Sequence, residues 1–196
     1  MPTDNRIVRF VERWSARQGP AVIGPKHIQY TRDAIAQFWS DLDGIQSVLD
    51  VGCAGGEALK IFSDRGVKRC VGLTNQRSEQ RAVQGLGFDC VLADMHFAPT
   101  GDDDFDLVFS RRTVEHSPVP FFLLAEFARI SRSLVFIITP EYPFRVWVKQ
   151  HYAVLPSRVW IEWGKRLGLE VVRHESVQVA PSQPEMRLLF RLRRKR

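Results

Sequence analysis

No stretch of this 196-residue sequence approaches the unbroken run of about 18 apolar residues that a membrane-spanning helix requires. The first residues, Met1-Pro2-Thr3-Asp4-Asn5-Arg6, lead into charged sequence without the apolar core of a secretory signal, so no membrane association and a cytoplasmic location are expected. Cysteine is scarce. Cys53, Cys70 and Cys90 form neither an even set nor a CxxC pair, and each lies in or beside an apolar run, which suits buried reduced thiols better than a disulfide framework or a metal site. Internal repeats and low-complexity segments are missing, and 44% hydrophobic with 26% charged residues excludes a disordered or fibrous class. A chain of this length can bury one substantial core, so one domain is expected.

Acidic residues are missing from the last ten positions. There Arg187, Arg191, Arg193, Arg194, Lys195 and Arg196 carry the whole net charge of +6, and the remainder balances 22 basic against 22 acidic residues. A protein that wraps nucleic acid spreads its positive charge over a face, so nucleic acid is a possible partner but not the favoured one.

What is present reads as alternating strands and helices. Apolar positions repeat helically over about 6–17 and 31–42, the two separated by a Gly/Pro-rich stretch at 19–25. From Ser47 onward, short apolar runs at 47–51, 70–74, 89–93, 105–110 and 133–139 predict strands, with helices between them at 57–65, 77–86 and 120–130. This β-α-β-α order implies a parallel sheet covered on both faces, with right-handed crossovers. A helix over 156–167 is followed by apolar runs at 169–177 and 186–193. The second of these alternates with a period of two, and the short connection predicts a terminal antiparallel hairpin with one buried face.

The strongest local signal is Ser47-Val48-Leu49-Asp50-Val51-Gly52-Cys53-Ala54-Gly55-Gly56. A buried strand that ends in an acid and turns through glycines into a helix brings backbone N–H groups close to a ligand, the arrangement of a nucleotide-type site at the carboxyl end of a strand. The dinucleotide fingerprint G-x-G-x-x-G would require glycine at 52, 54 and 57, where the sequence has Gly52, Ala54 and Glu57. Glu57 would repel an incoming pyrophosphate but not a phosphate-free sulfonium cofactor.

This run resembles the first motif of the class I S-adenosylmethionine-dependent methyltransferases, in particular their small-molecule group, and the resemblance extends over about 47–172. It implies an α/β fold: a doubly wound, mostly parallel, seven-stranded Rossmann-like sheet with a C-terminal antiparallel hairpin. Residues 1–45 would form a helical lid segment in which His27 and Tyr30 take part. Residues 46–139 would be the cofactor-binding half and 140–196 the acceptor side and hairpin. The implied cofactor is S-adenosyl-L-methionine. Asp50 would orient its ammonium group, and Gly52, Cys53, Ala54 and Gly56 would form the turn beneath it, alanine at 54 being tolerable only at negative φ. Where the family usually ends the second strand with a ribose-gripping acid, Val71-Gly72-Leu73-Thr74-Asn75-Gln76 has Thr74. Its Gly-Leu-Thr run resembles the variant of the cyclopropane fatty acid synthases, and Asn75 or Gln76 would supply the hydrogen bonds. Asp94 would accept from the adenine amino group with Met95 beside the base. In Phe105-Asp106-Leu107-Val108-Phe109-Ser110-Arg111-Arg112-Thr113-Val114-Glu115-His116, the backbone around Ser110 and Arg111 would flank the methionine portion.

Methyl transfer is an in-line displacement at carbon, so alignment supplies much of the rate and a base is needed only if the acceptor must lose a proton. His116 is the first candidate base, followed by Glu115 and His151. No metal is expected, because the consecutive Asp102-Asp103-Asp104 lack convergent geometry. The aromatic and basic segment 140–152 is expected to wall the acceptor, a small molecule acting through O or N. Two other readings stay open: nucleic-acid methylation, although neither an N/D-P-P-Y/F motif nor a Pro-Cys pair is present, and an idle cofactor-fold module, which Ala54 and Thr74 would permit.

Overall fold

The computed structural model describes residues 6–15, 19–21, 24–142, 150–181 and 183–193. In chain order the elements are α1 (Arg6–Ser15), α2 (Pro25–Phe38), β1 (Ser47–Val51), α3 (Glu57–Asp64), β2 (Arg69–Thr74), α4 (Arg77–Gly85), β3 (Asp89–Leu92), β4 (Phe105–Arg111), α5 (Pro120–Ile130), β5 (Ser131–Pro140), α6 (Ser157–Arg166), β6 (Leu169–Ala180) and β7 (Gln183–Leu192). The strands form one sheet in the order β3-β2-β1-β4-β5-β7-β6. The first five are parallel, while β7 is antiparallel to both β5 and β6. This is the doubly wound, mostly parallel arrangement expected from the sequence.

Strand periodicity explains why both faces carry helices. On β5, Leu134, Phe136 and Ile138 enter one core with Ala34, Ile35 and Phe38 of α2, Leu59 and Phe62 of α3 and Val83 of α4. The alternate residues Val135 and Ile137 enter a second core with Leu123, Leu124 and Phe127 of α5 and Trp160 of α6. Successive strand residues point to opposite faces, so an apolar run without alternation needs a cover on each side. The central strand β1 is buried at all five positions. Phe38 stacks on Phe136 with ring centroids 4.6 Å apart, a pairing worth about 1 kcal/mol beyond its buried area.

The start of the second helix and the burial of the last strand differ from the sequence reading. The second helix starts at Pro25 rather than near 31, because Gly24 takes the extended N-cap position and Pro25 the first helical position, where a missing N–H costs nothing. The last strand was expected to bury one face only. Instead Glu185 through Phe190 are all buried, because β7 passes back between β5 and β6 and leaves β6 at the edge. The basic C-terminal run is likewise integrated: Arg187 is buried, donates to Gln37 Oε1 at 2.6 Å and faces Glu185 at 3.4 Å, while Arg193 pairs with Glu170. Residues 194–196 lie outside the described residues, as does most of the aromatic and basic segment 140–152.

Candidate active site

A cavity of about 530 Å³ opens at the carboxyl ends of β1, β2, β3 and β4. The chain leaves β1 toward β2 and β3 on one side and toward β4 on the other, so this is the switch point where open α/β sheets bind ligands. Gly52 and Ala54, Thr74-Asn75-Gln76, Asp94-Met95, Arg111, and Glu115-His116 with His151 all line it. Sequence positions from four strand ends are thereby brought to one space.

The turn after β1 is shaped by close approach. Gly52 has φ +78°, and a Cβ there would lie 2.1 Å from Thr113 Oγ1, so only glycine fits. Ala54 has φ +45°, contrary to the negative value expected, and holds a left-handed conformation that costs an L-residue roughly 1–2 kcal/mol. Strain of this kind persists where surrounding structure enforces it. Gly56, at φ +88°, is the buried N-cap of α3. Cys53 turns its side chain into the core, its Sγ 3.8 Å from that of Cys90, and Gly72 leaves room for both sulfurs. Cys53, Gly56 and Ser110 therefore do not line the main cavity. Ser110 instead donates to the Val51 carbonyl at 3.1 Å, tying β4 to β1.

Asp50 also lies outside the main cavity, in an adjoining recess of about 40 Å³ shared with Gly52, Ala54, His27, Glu57 and Arg111. Its carboxyl is fully buried, and desolvation, reinforced by Glu57 and Cys90, pushes its pKa up to about 8. An anionic carboxylate at this place calls for a cation beside it.

At the end of β2, Thr74 Oγ1 donates to Glu79 Oε2 at 2.5 Å. Glu79, in the first turn of α4, lines the cavity, and its other oxygen accepts from the Ala21 backbone N–H at 2.7 Å. The carboxylate missing from the strand end thus arrives five residues later. Sequence reasoning passed over Glu79; the available signal was an acid in the first turn of the helix after the motif. Gly19, Pro20 and Ala21 also line the cavity, as does His27, whose pKa is lowered chiefly by desolvation and then by Arg111 and Arg112. Tyr30 instead donates to the Val179 carbonyl, pinning α2 to β6.

Asp94 is held by another overlooked residue. The buried His96 ring contacts Asp94 Oδ1 at 2.6 Å and Ser117 Oγ at 2.7 Å, and the His96 backbone N–H donates to the same Oδ1. Arg111 is nearly buried and its Nε has no hydrogen-bond partner among the described residues. Burial, partly offset by Glu185, lowers its pKa.

Beyond β4, Glu115 is buried and its pKa is raised by desolvation; Oε2 accepts from the Thr139 hydroxyl at 3.1 Å, while Oε1 has no hydrogen-bond partner among the described residues. His116 Nδ1 lies 3.0 Å from the Gln150 carbonyl oxygen. A carbonyl only accepts, so Nδ1 carries the hydrogen and Nε2 of the neutral ring keeps its lone pair. His151 meets the His116 ring edge-on at 5.0 Å between centroids. Its pKa falls to about 4, mainly from desolvation and further from His116 and Arg112, so it is neutral at physiological pH. No metal was expected, yet Glu115, His116 and His151 each place a possible ligand atom within 4.8 Å of the others.

Residues 49–138 match a family described as a methyltransferase domain. No curated protein matches the chain by sequence. Among solved structures, the chain is similar to an S-adenosylmethionine-dependent methyltransferase from Archaeoglobus fulgidus, at 15% identity and a TM-score of 0.71, covering 95% of this chain and 100% of that one. It is also similar to magnesium protoporphyrin IX methyltransferase from Synechocystis PCC 6803, solved with bound S-adenosylhomocysteine, at 13% identity and a TM-score of 0.71, covering 97% and 100%. A third is the Burkholderia thailandensis 1,6-didemethyltoxoflavin N1-methyltransferase, at 16% identity and a TM-score of 0.68, covering 83% and 77%. The family match spans the four cavity-lining strands, and the solved structures share the fold of the whole sheet.

Proposed function

We propose that the chain methylates an oxygen or nitrogen atom of a small molecule. The observation that carries this reading is one cavity running from the Gly52 turn to Glu115, His116 and His151, of a size usual for small-molecule sites. The small-molecule acceptors named for the relatives from Synechocystis and Burkholderia thailandensis point the same way.

The residues present fit the cofactor. The turn at Gly52 and Ala54 lines the cavity, and the Arg111 Nε is a buried donor lacking a partner among the described residues. In this reading Asp50 holds the methionine ammonium and Arg111 its carboxylate. The backbone at Gly52 and Ala54 lets the sulfonium portion approach, with Cys53 and Gly56 fixing the turn from behind and Ser110 tying β4 to the end of β1. Thr74, Asn75 and Gln76 meet the ribose together with Glu79, and Asp94, oriented by His96, meets the adenine beside Met95. S-adenosylmethionine supplies an electrophilic methyl group on a positively charged sulfur. The protein's part is to align the acceptor, exclude water and, for an acceptor that carries a proton, accept it at His116 Nε2, with Glu115 and His151 beside it.

Calorimetry with S-adenosylhomocysteine tests the assignment. Binding in the micromolar range is expected, and Glu79→Gln should weaken it about tenfold or more, the loss of a charge-assisted hydrogen bond. Absence of binding at millimolar ligand would sink the reading, and unchanged affinity in Glu79→Gln would remove that residue from the ribose site. Salt-sensitive binding to RNA or DNA would favour a nucleic-acid acceptor instead.

A further inference from the structure

Glu115, His116 and His151 come from two separate parts of the chain, and Glu115 and His116 are each held by a different partner. Glu115 and His116 sit in the turn after β4. His151 follows β5, and its segment is fastened to that turn by the backbone N–H groups of Tyr152 and Ala153, which donate to the Glu115 carbonyl at 2.7 and 3.0 Å. Thr139 orients the Glu115 carboxylate through one oxygen and leaves the other, fully buried, without a hydrogen-bond partner among the described residues. The Gln150 carbonyl fixes the His116 tautomer so that Nε2 is the nitrogen with an available lone pair. Outer partners on both carboxylate and imidazole are what metal centres use to aim their ligands. The nearby cation Arg112 is compensated by buried Glu185, 3.2 Å away. As a purely structural cluster these residues would bury a carboxylate oxygen with no donor among the described residues, at a cost of about 1–3 kcal/mol.

We propose that Glu115, His116 and His151 form a divalent metal site that ligates the acceptor through oxygen. Two imidazoles and one carboxylate suit Zn²⁺, Fe²⁺, Co²⁺ or Mn²⁺, whereas Mg²⁺ and Ca²⁺ favour all-oxygen ligands. Three protein ligands leave coordination positions open toward the cavity, and a metal there narrows the acceptor to a hydroxyl, phenol or enol whose pKa it lowers. With Nε2 of His116 engaged as a ligand it is not the proton acceptor, and the ligated O–H gives its proton to solvent. The oxygen's electron pair then forms the bond to the methyl carbon while the carbon–sulfur bond breaks and its pair remains on sulfur. The choice of oxygen rests on the small-molecule reading above; the metal site itself does not.

The test is titration of chelator-treated, untagged full-length protein with Co²⁺ and Zn²⁺, following cobalt visible absorption and calorimetric stoichiometry. One equivalent is expected to bind, and Zn²⁺ should displace Co²⁺. The near-isosteric Glu115→Gln and the partly exposed His151→Ala should each weaken binding at least tenfold, with S-adenosylhomocysteine affinity within about twofold of the parent. The buried cysteines Cys53, Cys70 and Cys90 should not contribute sulfur-to-cobalt absorption. Failure of Co²⁺ to bind, or equal binding by parent and both variants, overturns the metal site even where S-adenosylhomocysteine binds normally. Metal binding without S-adenosylhomocysteine binding supports the site and instead overturns the cofactor reading of the cavity.

Discussion

At the scale of single residues, the site is built from groups whose cost of burial a ligand would relieve. Asp50 is the plainest case. Its folded pKa of about 8 lies above the ordinary carboxylate value of 3.8, so the unfolded chain gives up this proton at lower pH than the folded one. Folding stability from this group therefore falls as pH rises from about 4 to 8. Asp50→Asn should flatten that part of the stability profile in urea titrations. Binding an ammonium beside Asp50 should also release nearly one proton at pH 7, measurable by calorimetry in buffers of different ionisation enthalpy, and the Asn variant should release none. An unchanged proton count in Asp50→Asn would remove Asp50 from the ammonium site. Ala54 carries a different cost, in backbone conformation, at the point where the chain passes under the cavity.

Among the elements, α6 and β7 show how a close contact can outweigh helix propensity. Gly164 lies inside α6, where alanine would ordinarily stabilise by about 1 kcal/mol. A Cβ at this position would sit 2.5 Å from Phe190 Cε1 on β7, and Phe190 is a fully buried ring in the core shared with Trp160. Overpacking costs typically 1–3 kcal/mol, so Gly164→Ala should lower the stability of the protein by about 1 kcal/mol net. The measurement is the urea midpoint at unchanged slope, and a midpoint above the parent's would show that the helix and strand separate easily.

Over the whole molecule, Glu185 couples the last strand to the cavity wall. It is fully buried on β7, with Arg111 Nη2 at 3.5 Å, Arg112 Nε at 3.2 Å and Arg187 Nε at 3.4 Å. Two of these arginines end β4 beside the site, and the third returns toward Gln37 of α2. Removing a buried carboxylate that faces three cations should destabilise strongly, by about 3 kcal/mol or more. Glu185→Gln should therefore lower the melting temperature and also weaken S-adenosylhomocysteine binding through Arg111. An effect on stability with full affinity would show that the network braces the sheet without positioning Arg111.

Local sequence determined the strands and helices of the parallel half almost residue by residue, because β1 and α3 to α5 have short-range patterns that agree with their tertiary burial. It also pointed to the turn at Gly52, since a strand, an acid and glycines in succession admit few other conformations. Only the tertiary structure decided that β7 lies inside the sheet, because alternation along one strand does not say which strands flank it. The folded chain likewise decided that Glu79 reaches Thr74 at the end of β2, that His96 contacts Asp94, and that His151 meets Glu115 and His116 across more than thirty residues of sequence. Such meetings depend on where separate loops arrive in space, which no periodicity records.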